Sequence, residues 1–255
     1  MPLSETKRQL LAQRLSGRKP AATTAVVPAI PRRPQGVPCP LSPAQSRIWF
    51  LHQLQPDSPE HTLVNAWWCK GNLDHDRANA ALNAVVARHE ILRSVYQTEN
   101  GVATQMPLAN VQMAIEHMRV GDGREAILQR AREEGRRPFD LEHAQPFRLV
   151  LIEGDVAQLL MLVGHDIAFD KWSLGIFWRE WSRAYTGSAE PSSDRTLQYG
   201  DFAHYQSLQT GEASNVQLDY WRKQLVGLPA PSRFVIAGTG GDAAGALEVA
   251  GISPE

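Results

Sequence analysis

The chain has 255 residues, of which 43% are hydrophobic and 21% are charged, and its formal net charge is −1. That apolar fraction is typical of a globular protein and excludes a disordered chain. The near-neutral charge gives no field that would gather nucleic acid, and no apolar run approaches the ~20 residues that span a bilayer. The first residues are charged and lack the apolar segment of a signal peptide. We therefore expect a cytoplasmic protein that binds neither nucleic acid nor membrane.

Two segments precede the expected folded body. Residues 1–17 contain the spacing of a short amphipathic helix, which is interpreted either as a docking helix for a partner chain or as a solvated leader. Residues 18–40 are rich in proline and predict an extended linker. At the other end, residues 229–255 are rich in glycine and alanine without a packing period, and predict a flexible tail.

Between these segments, residues 41–228 alternate helix and strand patterns and predict one α/β domain, a central sheet flanked by helices. Ser42 and Gln45 have the spacing of a capping box, with Pro43 at the first helical position, so a helix is expected to begin there. Helices are predicted at 43–54, 74–89, 124–134, 172–187, 197–209 and 216–226. Strands are predicted at 63–71, 92–97, 147–153 and 157–165.

Several common catalytic signatures are missing from the sequence. No Gly-x-Gly-x-x-Gly turn, phosphate loop or Gly-x-Ser-x-Gly elbow is present. The two cysteines, Cys39 and Cys69, are too few for a disulfide scaffold and too far apart for a zinc site of the usual spacing. Dinucleotide, nucleotide and serine-hydrolase chemistry are therefore not expected.

Four segments in this order resemble the signature motifs of condensation domains from nonribosomal peptide synthetases. The third of them occupies the place of the family's His-His-x-x-x-Asp-Gly motif, and two further segments resemble the stretches before and after it. The four are LSPAQSRIWFL (41–51), RHEILRSVY (88–96), GHDIAFDKWS (164–173) and YGDFAHYQ (199–206). The two further segments are PFDLEHAQPFRLVL (138–151) and DYWRKQLVG (219–227). Six similarities in register cover residues 41–228.

The resemblance implies the N-terminal lobe of a chloramphenicol-acetyltransferase-like fold, in which a tunnel lies between two lobes. It implies no bound cofactor, and substrates that arrive as phosphopantetheine thioesters on carrier proteins. In the family, an acceptor amine attacks the donor thioester, and the second histidine of the motif positions or deprotonates that amine. The implied partners are a peptidyl or aminoacyl carrier protein, another synthetase module, or a tailoring enzyme of the kind that degenerate relatives recruit.

This sequence departs from the family pattern inside the motif. His165 takes the place of the first histidine, whose family role is mainly structural, and Asp166 replaces the second, catalytic histidine. Asp170 keeps the structural aspartate, while Lys171 replaces the glycine and Ser173 is retained. The resemblance further suggests that an arginine pairs with Asp170. Arg93 is the expected partner, in preference to Arg47.

The departures bear directly on catalysis. An aspartate has an ordinary pKa of about 3.9 against about 6.5 for histidine, so it is a much weaker base near neutrality. General base catalysis typically supplies about 10²–10⁴ in rate, and most of that is expected to be lost. In addition, the family's second lobe should follow residue 228, so the chain is expected to be a half-domain or a cut fragment. These observations favour a noncatalytic binding module over the alternative, an atypical condensation or acyltransferase enzyme completed by a second lobe or chain.

Two other interpretations of the loop have weaker support. His165, Asp166 and Asp170 have metal-ligating side chains, but no further histidine ligand is identified, so no metal site is expected. A heterocyclisation relative would place an aspartate where His165 stands. The aromatic residues that follow the loop, Trp172, Phe177, Trp178 and Trp181, are interpreted as core packing on a helix.

Overall fold

The computed structural model describes residues 30–34, 39–121, 123–188, 197–209 and 212–228, with the side chains of 212–214 left out. The chain divides into two compact units, Met1–Ile30 and Pro31–Glu255, and the elements below belong to the second. The predicted docking helix (1–17), most of the predicted linker (18–40) and the predicted tail (229–255) lie outside the described residues.

The described residues form helices and strands in alternation. The helices are α1 (Pro43–Leu54), α2 (His75–Arg88), α3 (Arg124–Arg136), α4 (Lys171–Tyr185), α5 (Tyr199–Leu208) and α6 (Glu212–Gln224). The strands are β1 (Cys39–Pro40), β2 (Thr62–Cys69), β3 (Ser94–Glu99), β4 (Val102–Pro107), β5 (Glu116–Arg119), β6 (Phe147–Glu153) and β7 (Gln158–His165). Short 3₁₀ turns at Pro59–His61 and Glu90–Arg93 lead into β2 and β3.

Two sheets organise the strands. The smaller has the order β1-β4-β3 and is antiparallel throughout. The larger has the order β2-β7-β6-β5, in which β7 lies between two antiparallel neighbours and β5 pairs with β6 in parallel. The strand before the motif loop is therefore a central strand, as predicted.

The core lies on both faces of β6 and β7, whose side chains alternate between two clusters because successive residues of a strand point to opposite faces. One face packs against α2 and α4, which contribute Val85 and Phe177 among others. The other face packs against α3 through Ile127 and Ala131. The predicted α/β class, a sheet flanked by helices, is confirmed.

Most element predictions agree with the structure. The capping box of Ser42 and Gln45 is formed in both directions at the start of α1. Three strands are missing from the prediction, the two-residue β1, β4 and β5, and α6 begins four residues earlier than expected, at Glu212. β5 has the sequence EHMR, and β4 is mostly exposed or half-buried. Neither strand has an alternation of apolar and polar residues that would identify it from the sequence. Each is placed in its sheet by pairing with a neighbouring strand.

No helix in the described part of the chain is both long enough and apolar enough to cross a membrane.

Candidate active site

The motif loop connects the end of β7 to the start of α4, and its path is set by backbone hydrogen bonds. The antiparallel register of β2 and β7 pairs Thr62 with His165. One residue further, the Asp166 amide donates to the carbonyl of His61 at 2.8 Å. The His165 carbonyl accepts from the amides of Ala168 and Phe169 at 2.9 and 3.1 Å. The loop is thus a tight turn that continues the sheet.

A buried glutamine of α1, within the segment 41–51, binds the backbone of the same loop. The Gln45 side chain is 1% exposed and donates to the carbonyl of Ile167 at 3.2 Å. The amide of Gln105, on β4, donates to the Gln45 side-chain oxygen at 3.0 Å. Gln45 therefore has two roles, because it closes the capping box at the start of α1 and also binds the backbone of the motif loop.

His165 is a buried, neutral imidazole. Its side chain is 3% exposed, and its Nδ1 accepts the amide of Ile167 at 3.2 Å. The rings of His52 and Phe139 stand edge-on to it, with centroids 5.3 and 5.6 Å away. Burial, followed by the neighbouring His52 and His61, lowers the pKa of His165 to about 3. Since this ring is neutral near pH 7 and faces the core, it suits the structural role that the resemblance implies.

Asp166 has a very different environment from its neighbour. Its carboxylate is 33% exposed and lies 3.5 Å from Nδ1 of His61, measured from Oδ2. Partial burial raises the pKa of Asp166, and the contact with His61 acts in the opposite direction. The sequence analysis did not identify His61 as a site residue. The register of β2 against β7 is the signal that would have found it.

Asp170 acts as the N-cap of α4. Its Oδ1 accepts the amide and the hydroxyl of Ser173 at 2.7 and 2.6 Å, and these bonds lower the pKa of Asp170. The predicted ion pair with Arg93 is wrong. The Arg93 guanidinium donates to the carbonyl of Leu108 and lies 3.9 Å from Glu90. Because the helix terminus supplies the donors, Asp170 needs no cation from elsewhere in the fold.

The side chains around the cap differ in exposure. Lys171 is exposed at the first turn of α4, and Arg47 is exposed on α1. Trp172 is 80% exposed, so its assignment to the core is wrong, whereas Phe177 and Trp181 are 3% and 6% exposed and do pack in the core. The difference follows from position, because residue 172 lies in the first turn of α4, before the helix meets the sheet.

A cavity of about 310 Å³ lies beside the loop. Its walls are mainly apolar, and its polar lining comes from the loop and from two neighbouring elements. The apolar lining includes Val85, Ile91, Leu92, Ile167, Phe169 and Phe177, and the polar lining includes Asp166, Asp170, Ser173, His89 and Tyr199. Among the described residues, no group of three His, Cys, Asp or Glu side chains could hold a metal ion.

The fourth motif contributes an anchor for the segment that precedes the lobe. Asp201 accepts the backbone amide of Arg33 at 3.0 Å, and the Arg33 guanidinium binds Glu90 at 2.7 Å. A Cβ atom at Gly200 would lie 2.7 Å from the Arg33 guanidinium, so a larger residue there would displace the Arg33 side chain. The predicted linker is therefore fixed to the lobe at Arg33, which its proline content did not indicate.

Comparison with known proteins agrees with this geometry. The sequence model of the Condensation domain family matches residues 37–234. The chain is 33% identical over 199 residues to a linear gramicidin synthase of Brevibacillus parabrevis, covering 74% of this chain and 4% of that protein. It is also 33% identical over 240 residues to the phosphinothricin tripeptide synthetase PhsC of Streptomyces viridochromogenes, covering 89% of this chain and 22% of that protein.

Solved structures extend the likeness to the fold. The X-domain from teicoplanin biosynthesis matches with a TM-score of 0.71 and 27% identity, over 83% of this chain and 48% of that one. The starter condensation domain of the rhizomide synthetase RzmA, as an R148A mutant, matches with a TM-score of 0.65 and 19% identity, over 76% and 49%. The chain thus spans less than a quarter of these two curated relatives and about half of these two solved domains. It belongs to the condensation domain family of nonribosomal peptide synthetases.

Proposed function

We propose that residues 41–228 form a condensation-type lobe that binds a carrier protein or a tailoring enzyme during nonribosomal peptide assembly in the cytoplasm, and that it does not itself form peptide bonds. Its ligands would be phosphopantetheine thioesters presented by carrier proteins, with no bound cofactor. The observation that carries the proposal is the pair of adjacent residues His165 and Asp166. The buried imidazole is neutral and faces the core, and the loop position of the catalytic histidine holds a carboxylate.

The chemistry of the loop supports the proposal. A carboxylate accepts a proton from an amine poorly near neutrality, and the rise in the pKa of Asp166 caused by burial is opposed by His61. Lys171 stands where the family has a glycine and places a long cationic side chain at the start of α4. Both changes disfavour attack by an amine.

The likeness to an X-domain supports a binding role. A second solved structure, the complex of the X-domain and OxyB from teicoplanin biosynthesis, matches with a TM-score of 0.71 and 28% identity. In that structure, the X-domain and OxyB form a complex. By analogy, we propose a tailoring enzyme as one partner of this lobe.

Helix α6 offers an apolar surface for a partner or for a second lobe. Val216, Tyr220, Trp221 and Leu225 of this region are between 52% and 70% exposed. Monomeric proteins rarely leave so many large apolar side chains in contact with water on one helix. We therefore include this surface in the proposed interface.

A second candidate function is an atypical condensation or acyltransferase enzyme that a second lobe or chain completes. The contact between His61 and Asp166 favours this function, because it brings the His61 imidazole close to residue 166, where the family has its catalytic histidine. In that case, His61 would serve as the base and Asp166 would orient it.

One preparation tests both candidates. The protein is mixed with loaded donor and acceptor carrier proteins, product is detected by mass spectrometry, and binding is measured by calorimetry. We expect no dipeptide above background, little gain from the double variant Asp166→His with Lys171→Gly, and micromolar carrier binding, equivalent to about 8 kcal/mol. Little gain is expected because the lobe alone does not orient both substrates.

Turnover by the unmodified protein would overturn the noncatalytic proposal. If Asp166→Ala alone abolished that turnover, Asp166 would be the catalytic residue. If His61→Ala abolished it as well, the second candidate would replace the first. Absence of binding to any carrier protein or tailoring enzyme would contradict the binding role.

A further inference from the structure

The cavity beside the motif loop has the size and walls of a small-molecule site. Its volume of about 310 Å³ lies at the lower end of the range for ligand pockets. Val85, Leu92 and Phe177 belong to the buried core, so these walls are fixed rather than mobile. The cavity therefore has room for a ligand whose apolar body is the size of an amino-acid side chain.

The charges that face the cavity are unbalanced. Asp166 and Asp170 both line it. Of the described residues that line the cavity, His89 is the one with a basic side chain, and its Nε2 already lies 2.7 Å from the Glu180 carboxylate. Lys171 and His61 flank the loop without lining the cavity. The interior is thus apolar with a surplus of negative charge.

The two carboxylates are not equally available to a ligand. Oδ1 of Asp170 already accepts two hydrogen bonds from Ser173. Asp166 has only the 3.5 Å contact with His61, which is longer than a normal charge-assisted hydrogen bond. Partial burial raises the pKa of Asp166, which is the expected result when a carboxylate loses water without gaining a close cation. A cationic ligand would supply that missing partner.

We propose that this cavity is a receptor for an apolar ligand of amino-acid size that carries a protonated amine, with Asp166 as the residue that binds the ammonium group. The inference rests on the proposed function, because it names the ligand class of the same site. A carboxylate beside an amine favours the protonated form. The bound amine then has no free electron pair and cannot attack a thioester.

If Asp166 binds the ammonium group, the presence of aspartate in place of histidine has two effects. It removes the base that would take a proton from the amine, and it adds an anion that keeps the proton on the amine. The lobe would hold an aminoacyl or alkylamine group in an unreactive state while a partner acts elsewhere on the tethered chain. Asp170 contributes charge to the site but serves mainly as the cap of α4.

The test uses calorimetry with L-leucinamide as the cationic probe and N-acetyl-L-leucinamide as its neutral counterpart. The proteins are the unmodified chain, Asp166→Asn and, as a matched control, Asp57→Asn at an exposed site that lines a different cavity. We expect the unmodified chain and the control to bind leucinamide at least tenfold more tightly than the acetylated probe. We expect Asp166→Asn to lose that preference, with an unchanged melting temperature verifying its fold.

The outcomes separate this inference from the proposed function. Equal binding of the two probes, an unchanged preference in Asp166→Asn, or no binding of leucinamide by the unmodified chain would each overturn the receptor. Carrier binding, measured on the same preparation, reports separately on the proposed function. Absence of binding to carrier proteins and tailoring enzymes, with a retained preference for leucinamide, would leave the receptor in place and refute the binding role.

Discussion

The two sides of the motif loop have opposite physical settings although they are adjacent in sequence. On the strand side, Gly164 and His165 end β7, and the imidazole is 3% exposed among aromatic rings. On the cavity side, Asp166 is 33% exposed and Asp170 is exposed at the start of α4. One short motif thus combines a buried element with a partly exposed surface, and the boundary between them falls between residues 165 and 166.

This boundary predicts how substitutions in the motif of this chain act. A substitution at residue 165 removes a buried ring that packs against its neighbours, so it lowers the free energy of unfolding. A substitution at residue 166 alters a partly hydrated group, so the chain keeps its fold and changes its chemistry. Asp166 in place of histidine is a change of the second kind. Measurements of stability on the strand side and of binding on the cavity side therefore test whether the boundary is real.

The largest expected effect concerns the neutral state of His165. The folded protein holds the pKa of this ring at about 3, whereas an unfolded chain takes up the proton near pH 6.5. The stabilisation is therefore complete above pH 6.5 and is lost as the pH falls from 6.5 towards 3. Between pH 7 and pH 5, we expect this residue to remove about 2 kcal/mol from the free energy of unfolding.

Chemical denaturation at both pH values measures that loss, and His165→Gln is the informative variant. The carboxylates of the chain titrate in both proteins, so the difference in pH dependence isolates His165. His204→Gln, at a half-buried histidine on α5, serves as the control for loss of a histidine outside the motif loop. An equal pH dependence in His165→Gln would mean that the ring is not held neutral by the core.

The elements that sequence analysis predicted well are those whose signals are local. The capping box at Ser42 and Gln45 places the start of α1 at the observed residue, because the cap bonds join residues three apart. β6 and β7 are recognisable as continuous apolar runs joined by a short turn. β5 is not recognisable, since its four residues have no apolar alternation and pair with β6 across a long separation.

The candidate site shows the same division. The family resemblance identified the loop residues from Gly164 to Ser173, and the structure places them together. His61 escaped detection because its approach to Asp166 depends on the pairing of two strands that are far apart in sequence. The pairing of Arg93 with Asp170 failed for the opposite reason, because a local partner, Ser173, satisfies the carboxylate first.

A comparable effect is expected where the strand side meets the loop. A Cβ atom at Gly164 would lie 2.9 Å from Cδ2 of Phe169, whose ring is 4% exposed and packs against Phe147 and Phe177. Because the ring has little room to move, Gly164→Ala should cost about 1–3 kcal/mol. The melting temperature should fall by about 2–4 °C for each kcal/mol.

Gly175→Ala is the matched control for this change. Gly175 lies within α4, and a Cβ atom there would meet nothing within 4 Å. The substitution should raise stability by about 0.5–1 kcal/mol, because alanine favours the helix more than glycine does. If both variants melted at the same temperature, the strand side of the loop would not be as closely packed as the comparison requires.

The smallest effect is expected on the cavity side, at the cap of α4. Asp170→Ala removes the acceptor of the Ser173 amide and hydroxyl, so the free energy of unfolding should fall by about 1 kcal/mol and the melting temperature by about 2–4 °C. Asp170→Asn keeps a capping oxygen and should recover most of the loss.

The bonds to Ser173 lower the pKa of Asp170, so the stabilisation that its carboxylate provides is present above the ordinary pKa of an aspartate and disappears as the pH falls through the lowered value. The difference between the unmodified protein and Asp170→Ala should therefore narrow in strong acid. An unchanged melting curve for Asp170→Ala at neutral pH would contradict the cap, and failure of Asp170→Asn to recover stability would show that the charge, rather than the hydrogen bonds, holds this side of the loop.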